Sequence, residues 1–249
     1  MTIENENDLQ KLKTIGRIVY ETLILMSKKI EIGMTTLELD KLGQENLNKY
    51  GANSAPMVTY DFPGCTCISI NEEAAHGIPS GRIIRAGDVV NIDVSAELEG
   101  YFGDTGGTFL VAPIDPKIAY LCQSTRKALK NAMKVAKSGA KINLIGRAIE
   151  RTAKQTGFKT LRDLGSHGIG RSLHDEPSFI PNFYDAGDQR TLKEGQVITI
   201  EPFLSTGAQE TETEDDGWTL TTGMGNFSAQ YEHTMVITKG KPLVLTTIT

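Results

Sequence analysis

The sequence predicts an α+β domain in which helices pack on one face of a mostly antiparallel sheet. Apolar residues recur every three or four positions across residues 9–30, which indicates one face of an amphipathic helix. Short apolar runs at 67–70 and 88–96 are typical of strands. No apolar run in the sequence approaches the roughly 18 residues that a membrane helix needs.

Four helices are predicted from this periodicity and from capping signals. The first contains the apolar face at 9–30, and the pair Thr35 and Glu38 forms a capping-box pattern that starts the second, which ends near Gly51. Asp115 and Pro116 start the third, because proline is tolerated at the first helical position. A fourth helix is predicted over about 142–156. Further strands are predicted near 163–175, 196–204, 217–222 and 229–238.

The sequence contains an approximate internal repeat. The stretch Gly-Asp-Val-Val-Asn-Ile-Asp93 is followed, 108 residues later, by Gly-Gln-Val-Ile-Thr-Ile-Glu201. Glycines at helix ends recur at an offset of 106, at Gly33 and Gly139 and at Gly51 and Gly157. We therefore predict a single catalytic domain, 1–249, made of two similar halves of about 1–110 and 111–249. Both echoed strands end in a carboxylate, so approximate twofold symmetry would bring two acids together at the centre.

Composition narrows the function classes. A net charge of −5 and the absence of a basic run give no sign of nucleic-acid binding. The acidic, polar N-terminal residues do not resemble a secretory signal. Three cysteines, Cys65, Cys67 and Cys122, are too few and too odd in number for a disulfide framework, so we expect reduced thiols in the cytoplasm. Nucleophilic catalysis by Cys67 is disfavoured, since no base lies beside it in sequence.

Five polar residues stand in stretches that should be buried strand or tight turn: Asp93, Asp104, His167, Glu201 and Glu232. A carboxylate on an apolar strand is costly to desolvate unless a positive charge compensates it. The four acids carry −4, and their motifs contain no cluster of Lys or Arg. Two divalent cations would neutralise that charge, whereas one would leave −2. We therefore predict a two-metal site with oxygen ligands and one imidazole.

Local patterns support this assignment. Asp93 and Asp104 lie on two predicted strands joined near residues 98–100, so a hairpin there would place them across from each other, within reach of one metal. His167 lies in a glycine-rich strand that contains a second histidine, His174, seven residues later. The glycines permit close backbone approach.

These motifs, in this order, closely resemble those of the type I methionine aminopeptidases. The similarity runs from the helix at residue 9 to the final strand near Ile237, and it implies the pita-bread (creatinase/aminopeptidase) fold, a pseudo-twofold antiparallel sheet with helix pairs on its outer face. The motifs that carry it are Asn71-Glu-Glu-Ala-Ala-His76-Gly-Ile-Pro79, Asn-Ile-Asp93-Val, Gly-Asp104-Thr, His167-Gly-Ile-Gly-Arg-x-x-His174, Ile-Glu201-Pro and Ser-Ala-Gln-Tyr-Glu232-His-Thr.

The resemblance implies a cytoplasmic, metal-dependent aminopeptidase. Such an enzyme removes the N-terminal methionine from nascent proteins and peptides with a small second residue, by attack of a hydroxide held between two metal ions. By the same resemblance, Asp104 and Glu232 bridge the two ions, Asp93 completes one of them, and His167 and Glu201 complete the other. Mixed carboxylate and imidazole ligation admits Co, Mn, Fe or Zn, and the sequence does not select among them.

The resemblance also assigns the remaining site residues. Glu201 would double as general base, His174 would stabilise the developing oxyanion, and His76 would contact the peptide near the scissile bond. The apolar pocket for the substrate's methionine would be formed by Phe62, Cys67, Leu173 and Trp218. Three positions depart from common members of the family, and they bear on substrate preference rather than on the chemistry: Leu173 for a frequent aromatic residue, Thr59 for a frequent tyrosine and Ser166 for a frequent glycine.

Two rival functions share the fold. A prolidase or Xaa-Pro aminopeptidase would use the same ligands but normally carries a large N-terminal domain, which we do not expect here. Only 27 positions separate His174 from Glu201, which leaves no room for the helical insertion of type II enzymes. A non-catalytic peptide-binding module would be expected to show ligand substitutions, and none of the five is substituted.

We expect a monomer; nascent-chain processing would suggest the ribosome as a partner, although no motif indicates it.

Overall fold

A computed structural model describes residues 1–247 and confirms the α+β class. The last two residues of the predicted second half, 248–249, lie outside the described residues. None of the helices within 1–247 combines the length and apolar content that crossing a bilayer requires. Within this range the helices are α1 (Glu6–Lys28), α2 (Thr36–Lys49), α3 (Ala55–Tyr60), α4 (Pro116–Val135) and α5 (Asn143–Thr156).

Every strand pair within residues 1–247 is antiparallel, as predicted. The strands are β1 (Asn53–Ser54), β2 (Cys67–Ile70), β3 (Glu73–Ala75), β4 (Val89–Leu98), β5 (Tyr101–Leu110), β6 (Lys159–Thr160), β7 (Gly165–Gly168), β8 (Asp175–Pro181), β9 (Val197–Ile200), β10 (Phe203–Ser205), β11 (Glu212–Thr213), β12 (Leu220–Thr221), β13 (Ser228–Gln230), β14 (His233–Val236) and β15 (Leu243–Val244).

The ladders divide among four groups, whereas we predicted one sheet. One group has the order β1-β4-β2 with β5 beside β4, and the largest has the order β15-β14-β9-β7-β8. Two smaller groups are β13-β10-β6 and β11-β12-β3. β5 links the halves, because Gly107 bridges Tyr231 and the amide of Glu232 donates to the carbonyl of Gly106 at 3.0 Å.

Two helix pairs cover these strands from one side. The helix α1 packs on β4, β5 and α2, while α4 packs on α5, β10 and β13. Each pair contributes to its own apolar core: the first centres on side chains such as Leu12, Ile15 and Ile92, and the second on Leu121, Ile145 and Ile198. The helices therefore lie behind the strands, and the opposite face is left for the site.

The helix boundaries follow from capping interactions that the sequence predicts. Thr35 and Glu38 form the predicted capping box, in which the Glu38 amide donates to Thr35 Oγ1 and the Thr35 amide donates back to Glu38 Oε2. Asp115 caps α4 by accepting from the Lys117 amide at 2.7 Å. The short helix α3 was not predicted, because six residues are too few for an apolar period to be recognised.

The β4–β5 hairpin corrects one prediction. Glu99 and Gly100 form a two-residue turn with φ values of 53° and 79°, which matches a type I′ turn. This turn pairs Asp93 with Gly106 and Ser95 with Asp104, so the prediction that the two aspartates face each other directly is wrong by two residues. They are diagonal neighbours on one face of the ribbon instead, where their carboxyl groups still interact.

Three predicted strands are interrupted, and two of the interruptions fall at the acids. The strand predicted over 196–204 breaks at Glu201 and Pro202, because proline cannot donate to a ladder. The strand predicted over 229–238 breaks at Tyr231 and Glu232. The strand predicted over 163–175 ends at Gly168, and β8 begins only at Asp175. Glu201 and Glu232 therefore lie at strand ends, whereas Asp93 and Asp104 lie within β4 and β5.

The echoed sequence positions have matching backbone conformations. Gly33 and Gly139 have φ values of 95° and 80°, and Gly51 and Gly157 have values of 70° and 79°. Each pair occupies the same place relative to a helix in its half, which supports the proposed division near residue 110. That division stays a prediction.

A buried carboxylate joins α2 to the loop that leads into β2. Asp40 accepts hydrogen bonds from the amides of Cys65 and Thr66, at 3.1 and 2.7 Å, and from the Thr66 hydroxyl at 2.7 Å. These bonds oppose the effect of burial, which raises the pKa of this carboxyl. Asp40 therefore fixes the segment that enters the pocket wall at Cys67.

We expect Asp40→Ala to lower the free energy of unfolding by about 3 kcal/mol, because two buried amides would lose a charged acceptor. Urea denaturation followed by circular dichroism would measure this loss. Glu45→Ala, an exposed position on the same helix, is the matched control and should change stability by less than about 0.5 kcal/mol. Equal effects of the two substitutions would contradict this role for Asp40.

Candidate metal centre and active site

The folded chain brings the five predicted ligands close together: four of them line one pocket, and Glu232 lies beside Asp104 and His167. Asp93 lies on β4, Asp104 on β5 and His167 on β7, while Glu201 and Glu232 lie at the breaks that follow β9 and β13. Asp104, His167, Glu201 and Glu232 are each less than 10% exposed. His167 Nε2 lies 3.9 Å from Asp104 Oδ2 and 3.5 Å from Glu201 Oε1.

Backbone contacts hold the two central acids together. The amide of Asp104 donates to Thr234 Oγ1 at 3.0 Å, and that hydroxyl donates to the Asp104 carbonyl at 2.7 Å. One residue later, the Thr105 hydroxyl donates to the carbonyl of Glu232 at 2.9 Å. Asp104 and Glu232 are therefore positioned by the junction between the halves rather than by either half alone.

His167 is held in the tautomer that a metal ligand requires. Its Nδ1 lies 2.9 Å from the carbonyl oxygen of Gly168, an acceptor, so Nδ1 carries the proton. Nε2 is then left with a lone pair beside the carboxylates of Asp104 and Glu201. Burial, with a smaller contribution from His174, lowers the pKa of His167 to about 3, so the ring stays neutral.

Gln230 connects the acids and was not among the predicted site residues. Its Nε2 donates to Glu232 Oε2 at 3.1 Å and approaches Asp93 Oδ2 at 3.4 Å, while Asn91 donates to its Oε1 at 3.0 Å. The sequence held one signal for it, since positions 230 and 232 flank a single residue near the end of a strand. In an extended chain such positions share a face.

The four clustered carboxyl groups have raised pKa values. Burial is the main cause that raises the pKa of Asp93 to about 6 and the pKa values of Asp104, Glu201 and Glu232 well above their usual range. Repulsion among the acids adds to the effect: Glu232 and Asp93 raise the pKa of Asp104, and Glu201 raises that of Glu232. Without cations, these groups must therefore hold protons to remain buried.

The donor set fits divalent cations. Asp104 Oδ1 and Glu232 Oε1 are buried and have no hydrogen-bond partner among the described residues, which is unusual for carboxylate oxygens. One ligand atom from each of Asp104, His167 and Glu232 lies within 4.8 Å of the others. Carboxylate oxygens and one neutral imidazole suit borderline divalent ions.

An apolar pocket of about 290 Å³ opens beside the acids. The rings of Phe62 and Trp218 meet edge to face, with centroids 5.2 Å apart, and Leu173 and Cys67 complete the wall. All four predicted pocket residues are therefore brought together. Burial raises the pKa of the Cys67 thiol well above its usual value, so this residue stays a neutral wall group, which argues against nucleophilic cysteine chemistry.

Two further histidines line the same pocket. His76 has a left-handed backbone with φ of 55°, which is strained for a residue with a Cβ and is typical of functional sites. The ring of His174 lies 4.3 Å from that of His167, and burial lowers its pKa. Three lining residues were not predicted, because no local pattern distinguishes them: Pro56, Tyr60 and Ser95.

Ser166 supports a ligand directly. It is fully buried, and its hydroxyl accepts a hydrogen bond from the amide of Glu201 at 2.9 Å. The sequence identifies this serine only as a departure from a frequent glycine. Its side chain gives Glu201 an anchor that a glycine would lack.

A comparison with known families decides the affiliation. The model of metallopeptidase family M24 matches residues 10–239. This chain belongs to metallopeptidase family M24.

Individual relatives within this metallopeptidase family span the whole chain. The chain is 47% identical over 247 residues to methionine aminopeptidase 2 of Bacillus subtilis, covering 99% of each sequence. Among solved structures, it superposes on methionine aminopeptidase from Thermotoga maritima with a TM-score of 0.95, 33% identity and 100% coverage of both chains. The Rickettsia prowazekii methionine aminopeptidase gives a TM-score of 0.94 at 37% identity, covering 99% of this chain and all of the other.

Membership of family M24 confirms two predictions. The pita-bread fold is confirmed, and the chain is a metallopeptidase that uses divalent metal. The orphaned oxygens of Asp104 and Glu232 agree with metal use, since a cation is the partner that they lack.

We expect Ser166→Ala to destabilise this M24 peptidase by about 1–3 kcal/mol, because the buried Glu201 amide would lose its acceptor. Ser124→Ala is the matched control: Ser124 is buried, but its hydroxyl has no partner within residues 1–247. Chemical denaturation of both variants would measure the difference. A smaller loss for Ser166→Ala than for Ser124→Ala would contradict the anchoring role.

Metal removal should destabilise the protein in a pH-dependent way. A carboxyl group whose pKa is higher in the folded state binds more protons in that state than in the unfolded state. The stability of the metal-free protein should therefore fall as pH rises above about 4. Cations replace those protons, so the gain from added Mn(II) should be larger near about pH 7.5 than near about pH 5. At a Mn(II) concentration 100-fold above its Kd, the gain in the free energy of unfolding is about 2.7 kcal/mol.

Differential scanning fluorimetry of chelator-treated protein, with and without Mn(II), would measure these shifts in Tm. Glu232→Gln should lose most of the gain. An equal Tm with and without metal at both pH values would contradict the assignment.

Proposed function

We propose that the chain is a methionine aminopeptidase that releases the N-terminal methionine from peptides and nascent proteins with a small second residue. The observation that carries the proposal is a group of candidate metal ligands that borders an apolar pocket lined by Phe62 and Trp218. Four of the predicted ligands line that pocket, and Glu232 lies within 4.8 Å of ligand atoms of Asp104 and His167. Full-length similarity to methionine aminopeptidases supports it.

Two divalent ions would be held by the predicted ligands Asp93, Asp104, His167, Glu201 and Glu232. Their +4 charge would balance the four carboxylates. When bound, such ions polarise a peptide carbonyl and lower the pKa of water. The remaining steps depend on protein side chains.

Glu201 is the proposed general base. Its carboxyl is buried and lies 3.5 Å from His167 Nε2, and its backbone amide is fixed by Ser166. Burial and the neighbouring acids raise its pKa well above that of an exposed glutamate. A carboxylate with a raised pKa accepts a proton from the attacking water more readily and can pass it to the leaving amine.

His174 and His76 are the proposed contacts to the reacting peptide. His174 is a neutral imidazole on the pocket wall, so its N–H can donate to the oxyanion that develops on the scissile carbonyl. His76, held in a strained backbone conformation, presents a second polar group on the same wall. Neither is buried in a packed core, which disfavours a purely structural role.

Methionine selectivity would come from the wall formed by Phe62, Cys67, Leu173 and Trp218. These side chains offer apolar and sulfur contacts and no charge, which suits an unbranched thioether. Leu173 is only 4% exposed, so it contributes bulk rather than an aromatic face. We further propose that the protein acts as a cytoplasmic monomer; ribosome association is the partner hypothesis that nascent-chain processing suggests.

The test is release of free methionine from the peptides Met-Ala-Ser and Met-Leu-Ser by chelator-stripped protein with Mn(II) or Co(II) restored. We expect metal-dependent cleavage of the alanine peptide and little cleavage of the leucine peptide. Cleavage of Xaa-Pro peptides instead would favour a prolidase-like activity. No cleavage with any metal, despite bound ions, would favour a peptide-binding module.

His174→Ala should reduce kcat by about 100-fold, the loss typical of removing one oxyanion donor, with metal content nearly unchanged. Elemental analysis and steady-state kinetics on the same preparation separate the two effects. Loss of metal in this variant would instead indicate that His174 supports the ligand cluster.

A further inference from the structure

Tyr60 makes a polar contact to the proposed catalytic machinery that the resemblance does not assign. It is the last residue of the short helix α3, and its Oη lies 2.6 Å from Nδ1 of His174. Their rings are tilted by 47° with centroids 5.6 Å apart, so the contact runs edge to edge through the polar atoms. Both residues line the pocket that contains Asp104 and Glu201.

The chemistry of the two partners favours one direction for this hydrogen bond. Burial raises the pKa of Tyr60, so the phenol keeps its proton and can donate. Nδ1 of His174 then acts as acceptor, which places the ring proton on Nε2. Nε2 has no hydrogen-bond partner among the described residues, so it remains available to a bound molecule.

The surroundings favour the same tautomer. The pocket contains carboxylates from Asp93, Asp104 and Glu201, and a peptide substrate adds a carbonyl oxygen. The carbonyl oxygen is an acceptor, so an Nε2 lone pair would repel it, whereas an Nε2–H group would attract it. His167, the neighbouring ring at 4.3 Å, is held in the opposite tautomer by the Gly168 carbonyl. The two adjacent imidazoles thus have different hydrogen-bond partners and opposite roles.

We propose that Tyr60 is a positioning residue, which donates to Nδ1 of His174 and so fixes His174 with Nε2–H available to the scissile carbonyl. The inference rests on the function proposed above for the same pocket. α3 makes the contact possible, because Ser54 caps its start and Asp61, with φ of 56°, ends it immediately after Tyr60. A one-turn helix with fixed ends sets the reach of the phenol.

Kinetics of Tyr60→Phe test the proposal, with Tyr184→Phe as matched control. Tyr184 is as exposed as Tyr60, at 43% against 44%, but lies outside the pocket. Losing a group that orients a functional imidazole typically costs at least about tenfold, so we expect kcat to fall about tenfold with KM little changed. The control should match the wild type.

A double-mutant cycle separates positioning from a structural role. If Tyr60 acts only through His174, then Tyr60→Phe should have no further effect on kcat in the His174→Ala background. An equal loss in both backgrounds, or no loss in the wild-type background, would overturn the proposal.

Nitrogen-15 NMR of the chelator-stripped protein gives a readout that does not depend on activity. The chain has four histidines, and His174→Ala assigns the signal. We expect His174 Nδ1 to be unprotonated and hydrogen-bonded, and to lose that bond in Tyr60→Phe but not in Tyr184→Phe. A protonated Nδ1 in the wild type would overturn the proposal. If wild-type protein released no methionine, the proposed function would fail while this spectrum would still decide the hydrogen bond.

Discussion

The cost of bringing four carboxyl groups together in a largely buried cluster governs this structure. Asp104, Glu201 and Glu232 are almost entirely excluded from water, and burial raises the pKa of each. Like charges at such separations cannot all ionise in a medium of low dielectric constant. Protons or cations must therefore compensate these charges. Asp104 Oδ1 and Glu232 Oε1 have no hydrogen-bond donor among the described residues, so the protein itself does not compensate them there. A divalent-metal peptidase uses this arrangement, because the repulsion among the carboxylates provides affinity for cations.

The remainder of the pocket keeps those groups in place. Thr234 and Thr105 bind the backbone around Asp104 and Glu232 across the junction of the halves, and Gln230 spans two of the acids. These donors are neutral, so no positive side chain among them competes with a cation for the carboxylates. Glu201 and Glu232 lie where β9 and β13 end, and Glu201 lines the pocket. The helices contribute at a distance, by burying the cores against which the strands rest.

Much of this could be predicted from the sequence, because several carboxylates on apolar strands are stable only where protons or cations compensate their charge. The capping box at Thr35 and the turn near residue 99 follow from local chemistry. The pairing of Asp93 and Asp104 was misjudged by two residues, since register depends on which residues form the turn. The contacts of Gln230 with Asp93 and of Tyr60 with His174 join residues 137 and 114 positions apart, and no local pattern indicates such contacts. The contribution of Ser166 likewise appears only once Glu201 lies beside it.

Anomalous X-ray diffraction from crystals equilibrated with Mn(II) tests the central claim most directly. The claim is that these five side chains together hold two cations whose charge balances the four acids. It predicts two anomalous peaks of comparable height in the pocket, both within bonding distance of Asp104 and Glu232. A single peak, or peaks only at other sites on the protein, would contradict it.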